Sequence, residues 1–484
     1  MVRCMDIEFK NIGFLKAGKI TTNKLTVIFG PNNVGKTYLS YSAYAAMKHF
    51  NEKIKNKINI PENVSTELLD KGSVSFDISG IINDKLIGSA NTEISSMLPA
   101  FFKNDTGLFS NSRINVTDPT IEKKILDSTA NIPVSLTEDM ILTISKKKDE
   151  SFVTFHISSI NAANDNAELK TKLTKKEANA YLNTVFKFFF LNSVLDSAAN
   201  DAFIITSERT GISLFQKEID ANRNDIVNKM SYSDVIKSHK SNFMKYYEEI
   251  FNKKVAKFSE PINHNLNVVR DFPDSKKSLK VSGRMNNKTR ASRYEKIIES
   301  LESLTGGKYS THADETIFTV KCDLGKDISM PLSLSSASNK ALFLLDIYIR
   351  NYIAPDSYLV IDEPELNLHP HNQIKMAELL VRLSHYGVKI LITTHSDYIV
   401  KEINNRIMAS SIKDPEILSY LNYQDIDVIS QKDVNAFTIG KDGIITDVGH
   451  NDFGLNAFLF DDVINDINEK NYFLYDHLTT EKGL

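Results

Sequence analysis

Eight residues constrain this 484-residue chain more than any others: Gly30-Pro31-Asn32-Asn33-Val34-Gly35-Lys36-Thr37, directly after the apolar run Leu25–Phe29. Gly30, Gly35, Lys36 and Thr37 have the spacing of a phosphate-cradling loop, and residues 38–50 continue with helix-compatible spacing, so a strand, a tight turn and a helix are predicted here. Each residue type has a physical task. The glycines let backbone N–H groups approach phosphate oxygens, and the helix points its positive end at the same anion. Lys36 reaches the β- and γ-phosphates, Thr37 is placed to ligate Mg²⁺, and Pro31 stiffens the turn.

Two further apolar runs end in chemistry-bearing residues. Residues 357–363, Ser-Tyr-Leu-Val-Ile-Asp-Glu, read as a strand closed by paired carboxylates. Asp362 suits a metal-holding acid and Glu363 a base that orients or deprotonates water. Residues 388–395 read as a strand ending in His395, whose imidazole is expected at the γ-phosphate.

Taken in this order, the three stretches resemble the Walker A loop, the Walker B strand with its D-loop (the string DEPELNLHP) and the H-loop (ITTHSD) of an ABC-type ATPase head of the SMC/RecF/OLD-like group. The resemblance implies an α/β fold: a RecA-like parallel core plus an antiparallel β subdomain, with a helical insertion domain. It implies ATP and Mg²⁺ as ligands, with Gly30, Asn32, Asn33, Gly35, Lys36 and Thr37 holding nucleotide, Thr37 and Asp362 holding metal, and Glu363 and His395 as catalytic groups. Such heads complete their sites across a dimer through a signature turn. Ser335, Ser336 and Ser338, before an apolar helix pattern, are expected to supply it, with Ala337 where the family pattern usually has glycine. The Ser207-Glu208-Arg209-Thr210-Gly211 turn is similar to one in related defence ATPases. There Arg209 binds phosphate, pairs across subunits, or builds a turn with Glu208. Gln216 is the candidate for a Mg²⁺-sensing glutamine.

The expected division is an N-terminal lobe over residues 1–212, a basic helical insertion over 213–308 and a C-terminal lobe over 309–484. The insertion is distinguished by charge. Residues 214–308 carry 19 Lys and Arg against 12 Asp and Glu, whereas the whole chain is at −3. Between Lys276 and Lys296 eight basic residues face Glu295 alone, a cluster suited to DNA, to an acidic protein face, or to a solvated loop. Helical spacing is read at 214–256 and 289–304, with a loop-like span holding Pro261 and Pro273 between them. Strands are expected at 74–78, 141–144, 152–157, 426–429 and 434–439, a hairpin turn at 440–443, one helix at 174–198 and a core-packed closing helix at about 453–467.

Two cysteines, Cys4 and Cys322, give no disulfide framework. No apolar run reaches the length of a membrane span and no leader is recognised, so a cytoplasmic protein is expected. OLD nucleases carry a TOPRIM nuclease domain after the ATPase. The residues after His395 show no acidic cluster of that kind, so the chain resembles the stand-alone ATPase subunits of two-component anti-phage systems of the PARIS or Septu type. That resemblance implies homo-oligomers that sense phage and control a separate toxic effector, such as a nuclease. The alternative is a DNA-repair ATPase clamp that grips DNA directly.

Overall fold

The computed structural model describes residues 5–104, 107–136, 140–159, 175–195, 202–215, 258–275, 288–312, 315–320, 325–451, 454–456 and 458–482. Gln216, the helical reading at 214–256 beyond residue 215, and Lys276, Lys277, Lys280 and Arg284 lie outside them.

A six-stranded sheet organises the fold. Its order is Ile445–Asp447, Val434–Ile439, Leu25–Phe29, Lys389–Thr394, Tyr358–Asp362 and Ala202–Ile205. The last five run parallel and only the first is antiparallel to its neighbour. Parallel strands covered on both faces read as continuous apolar runs, and the Leu25, Tyr358 and Lys389 strands are buried at every position. Alternation then sorts the side chains. Ile28, Ile204, Val360 and Leu391 face one core, while Val27, Phe29, Ile205, Ile361 and Ile392 face the other.

The first core is closed by antiparallel sheets: Leu15–Thr21, Asp6–Ile12 and Arg113–Thr117, and beyond them Ser73–Asp77, Phe152–Ser159, Met140–Lys146 and Ala130–Ser135. Helix Lys36–Lys57 lies in it. The second core takes helices Ala337–Ile347, Pro370–Tyr386 and Asp397–Ala409. It also takes Leu266, Val269 and Phe272 of helix Glu260–Ser275 and Ile297, Leu301 and Leu304 of helix Lys288–Thr305. Part of the segment expected as an insertion is therefore built into the head.

Several local expectations are corrected. The span with Pro261 and Pro273 is helical, because Pro261 stands in the first turn, where no intrahelical N–H is needed. Residues 426–429 form no strand but a turn, held by Asp427 N–H donating to the Gln424 carbonyl. The helix read at 174–198 is α-helical over Lys175–Phe189 and passes into a π-helical turn, Phe190–Val194. The closing helix runs Phe458–Lys482, and Ile467, expected in the core, is 60% exposed. The turn at 440–443 does form a hairpin, joining the expected strand Val434–Ile439 to Ile445–Asp447, for which no range was expected. Among the described residues no helix is long and apolar enough to cross a membrane.

Candidate nucleotide site

Register brings three loops to one edge. Phe29 lies opposite Thr394, and Thr393 opposite Asp362, so the strands stop level and their following residues emerge side by side. Ligands bind at this carboxyl edge in open parallel sheets.

The glycine-rich loop is shaped by its neighbours. Gly30 and Gly35 have φ of +153° and +100°. A Cβ on Gly30 would sit 2.9 Å from the Ile439 carbonyl oxygen, and one on Gly35 3.1 Å from Leu15 Cγ. Gly35 caps helix Lys36–Lys57 without a side chain, and the first turn holds no acid, so the N–H groups there are left for an external anion. Asn32 and Asn33 are exposed, Asn33 with φ +62°.

Lys36 is buried, and its Nζ donates to the carbonyls of Gly30 (2.9 Å) and Pro31 (2.7 Å) and to His395 Nδ1 (3.3 Å). An ammonium only donates, so Nδ1 is the acceptor and Nε2 carries the proton, which it gives to Glu363 Oε1 at 3.1 Å. That bond is the largest cause holding the Glu363 carboxyl below its ordinary range. Burial pushes Lys36 down to about 8, against the opposing pull of Glu363, Asp362 and Glu365.

Asp362 is fully buried and accepts from three hydroxyls: Thr37 (3.0 Å), Ser40 (3.3 Å) and Thr393. Burial raises its pKa, and the Thr393 and Thr37 hydroxyls oppose the rise. Thr37 and Asp362 thus put two hard oxygen donors side by side, the set Mg²⁺ takes when phosphates supply the rest. Among the described residues no group of three His, Cys, Asp or Glu side chains could hold a metal alone.

Glu363 follows in the left-handed region (φ +52°), a strained setting for a glutamate. Arg209 supports it. Arg209, for which the sequence leaves phosphate binding, an intersubunit pair or a structural turn open, is buried, with its guanidinium donating to the backbone carbonyls of Thr206, Asp362 (2.8 Å) and Glu363. The neighbouring Glu208 accepts from Tyr41 Oη at 2.8 Å, and Asn367 donates to Thr210 Oγ1 at 3.0 Å. The Ser207–Gly211 turn is thus a brace behind the acidic strand.

The signature serines divide. Ser335 is buried, its hydroxyl donating to the Leu332 carbonyl at 2.7 Å, so it shapes the turn rather than facing a ligand. Ser336 caps helix Ala337–Ile347 by accepting from Asn339 N–H, and its hydroxyl pairs with Ser338 at 2.8 Å; Ser336 is exposed, like Leu334, and Ser338 is half-buried.

Sequence reasoning missed Ser40, Thr393, Glu365 and Gln373. Glu365 accepts the His395 N–H at 2.6 Å, and Gln373 accepts from Ser396 Oγ, so both anchor the histidine loop. Glu365 sits in the DEPELNLHP string and Gln373 just after it, and neither position carries a local signal for anchoring the histidine loop.

The fold and site define a phosphate-loop nucleotide-binding protein. A family model described as an AAA ATPase domain matches residues 5–400, and the chain belongs to that family. No curated protein matches it. Among solved structures it is similar to the Smc head domain of Pyrococcus furiosus with an extended coiled coil, bound to the C-terminal domain of ScpA: 13% identity, 97% of this chain and 100% of that one, TM-score 0.35. It is also similar to the SMC head domain of Thermotoga maritima: 11% identity, 93% and 99% coverage, TM-score 0.29.

Proposed function

We propose that this chain is a Mg²⁺-dependent ATPase of the ABC type that acts as a pair of heads and serves as the nucleotide-driven holder of a separate effector, such as a nuclease, in anti-phage defence. One observation supports the enzymatic reading above the others: Lys36, Glu363 and His395 converge within 3.3 Å contacts on the loop that Gly30 and Gly35 shape. Phosphate oxygens in that loop would take over the Lys36 donors now given to carbonyls. Mg²⁺, held by Thr37 and Asp362, would neutralise phosphate charge. Glu363, kept ionised by His395, accepts a proton from water as its oxygen attacks the γ-phosphorus, and the bond to the bridging oxygen breaks to release ADP. His395 Nε2–H orients Glu363 and is placed beside the γ-phosphate.

The dimer is supported by exposed Ser336 and half-buried Ser338, at a helix N-terminus suited to capping a partner's phosphate. The defence role is supported by the motif strings' similarity to two-component defence ATPases. A DNA clamp is the second reading. The described part of its basic segment favours it little, because Arg293 donates to the His385 carbonyl and Lys296 to Gln424 within the head.

Glu363→Gln should lower turnover on the order of 10²–10³-fold while retaining ATP, and Lys36→Ala should weaken binding itself. Single-turnover hydrolysis and equilibrium nucleotide binding separate the two; near-normal hydrolysis by Glu363→Gln would remove it as the base. Tagged Glu363→Gln protein, purified with ATP from cells carrying its gene neighbourhood, should bring a stoichiometric second protein. DNA alone in the eluate, with DNA-stimulated turnover, would replace the effector reading with the clamp.

A further inference from the structure

The C-terminal helix Phe458–Lys482 leaves apolar side chains in solvent. Ile467, Leu474 and Leu478 are between 52% and 60% exposed. They are not scattered. Together with Asn471 they recur at steps of four, three and four, the spacing of a single coiled-coil seam, and in the sequence the same steps run back to Ile464 and Phe460. In that register Ile464, Asn471 and Leu478 take the a positions and Phe460, Ile467 and Leu474 the d positions. Asp462, Glu469 and Asp476 then fall every seven residues at f, the position farthest from a partner. Three exposed aromatics lie off the seam: Tyr472 and Phe473 on the outer flanks, and Tyr475 at e, beside the seam; Phe473 stacks on His477 one turn away, with ring centroids 5.2 Å apart.

We propose that this helix pairs with the same helix of a second copy in a parallel, two-stranded coiled coil, joining two heads whether or not nucleotide is bound. Two features select that occupant. Asn471 is the lone polar residue in the seam. A parallel copy places Asn471 across from Asn471, where the two amides satisfy each other. An antiparallel copy or an apolar groove would bury the amide without a partner. Charge excludes a lipid surface or a nucleic acid, since the helix carries six Asp and Glu against two Lys. In a pair the f-position carboxylates point outward, so their repulsion is weak and screened. The seam spans fewer than three heptads and is self-complementary, as a two-fold dimer requires. Its consequence is local concentration. With one contact already made, closing two heads around nucleotide becomes an intramolecular event.

The test uses the full chain without nucleotide, so it is independent of the ATPase reading. Sedimentation equilibrium should give twice the 54.6 kDa chain mass at micromolar protein. Ile467→Asp combined with Leu474→Asp should halve that mass while nucleotide binding and the thermal midpoint of the head stay unchanged. Asn471→Ile, which leaves the helix intact, should keep association but shift it toward higher oligomers. With Cys4 and Cys322 replaced by Ser, Asn471→Cys should oxidise to a covalent dimer, which only a parallel, in-register pair allows. A nucleotide-free monomer, a dimer indifferent to the paired Asp substitutions, or a monomer that binds anionic vesicles through this helix would overturn the proposal.

Discussion

Arg209 shows how a single residue's role depends on what surrounds it. A guanidinium beside a glutamate in a polar turn is compatible with phosphate binding, with a partner subunit or with the turn itself. Burial against the carbonyls of Asp362 and Glu363 assigns it to holding the acidic strand end, where Glu363 sits in a strained conformation. Arg209→Lys keeps the charge but loses the fork. It should lower kcat on the order of 10²-fold, as small displacements of a reacting group do, and leave nucleotide affinity nearly unchanged. Equal losses in kcat and affinity would mean that Arg209 contacts the nucleotide after all. His264 gives a separate handle. It packs edge-on to Phe203 (4.9 Å) and beside Tyr44, with Lys48 and Glu260 as its charged neighbours. Burial, helped by Lys48, pushes it down to about 4. Its folded pKa lies below the unfolded value, so the unfolded chain binds more protons between about pH 6.5 and 4. Stability therefore falls as pH drops through that window, by on the order of 2 kcal/mol at pH 5. Denaturation midpoints from pH 7 to 5 should flatten in His264→Gln; an unchanged slope would assign the acid sensitivity elsewhere.

At the scale of elements, most strands were legible because alternation or continuous burial marks them directly. The parallel run Leu25–Phe29 and the hairpin Val434–Ile439 with Ile445–Asp447 are examples. The turn of that hairpin is constrained further. Gly443 has φ +77°, and a Cβ there would lie 2.4 Å from the Phe14 carbonyl oxygen, while Lys16 N–H donates to the Gly443 carbonyl. Gly443→Ala should cost roughly 1–3 kcal/mol in chemical denaturation and displace the Gly13–Phe14 turn beside the phosphate loop. A neutral effect would mean the two turns are not coupled. Helix Glu260–Ser275 reads as a loop-like span in the sequence, being polar and holding two prolines. Pro261 stands where a helix tolerates proline, and Leu266, Val269 and Phe272 hold the rest by burial. Residues 426–429 failed in the opposite way: an apolar-polar alternation too short to outweigh the turn bonds around Asp427.

For the whole molecule, one sheet built from strands far apart in the chain separates two cores, and the site lies along its edge. The two proposed contacts with a second copy would use the serine-bearing helix N-terminus and the heptad-spaced helix at 458–482. Salt should discriminate their roles. Association through an apolar seam should change little between low and moderate ionic strength, whereas a DNA-bound clamp would lose affinity steeply.

The sequence by itself determined the phosphate loop, the acidic strand end and the histidine turn, because each is a local unit: strand, turn and functional residue are contiguous, and the backbone conformation is demanded by glycine and charge within eight residues. Only the tertiary structure decided which groups meet across 30 to 325 residues of chain: Arg209 on the Asp362 and Glu363 carbonyls, Thr37 and Thr393 on Asp362, and Glu365 on His395. Those contacts depend on strand order and register, which follow from packing both faces of the sheet at once and leave no mark within any one segment. Exposure was equally out of reach, since an apolar helix spacing reads the same whether a core or a second chain covers it.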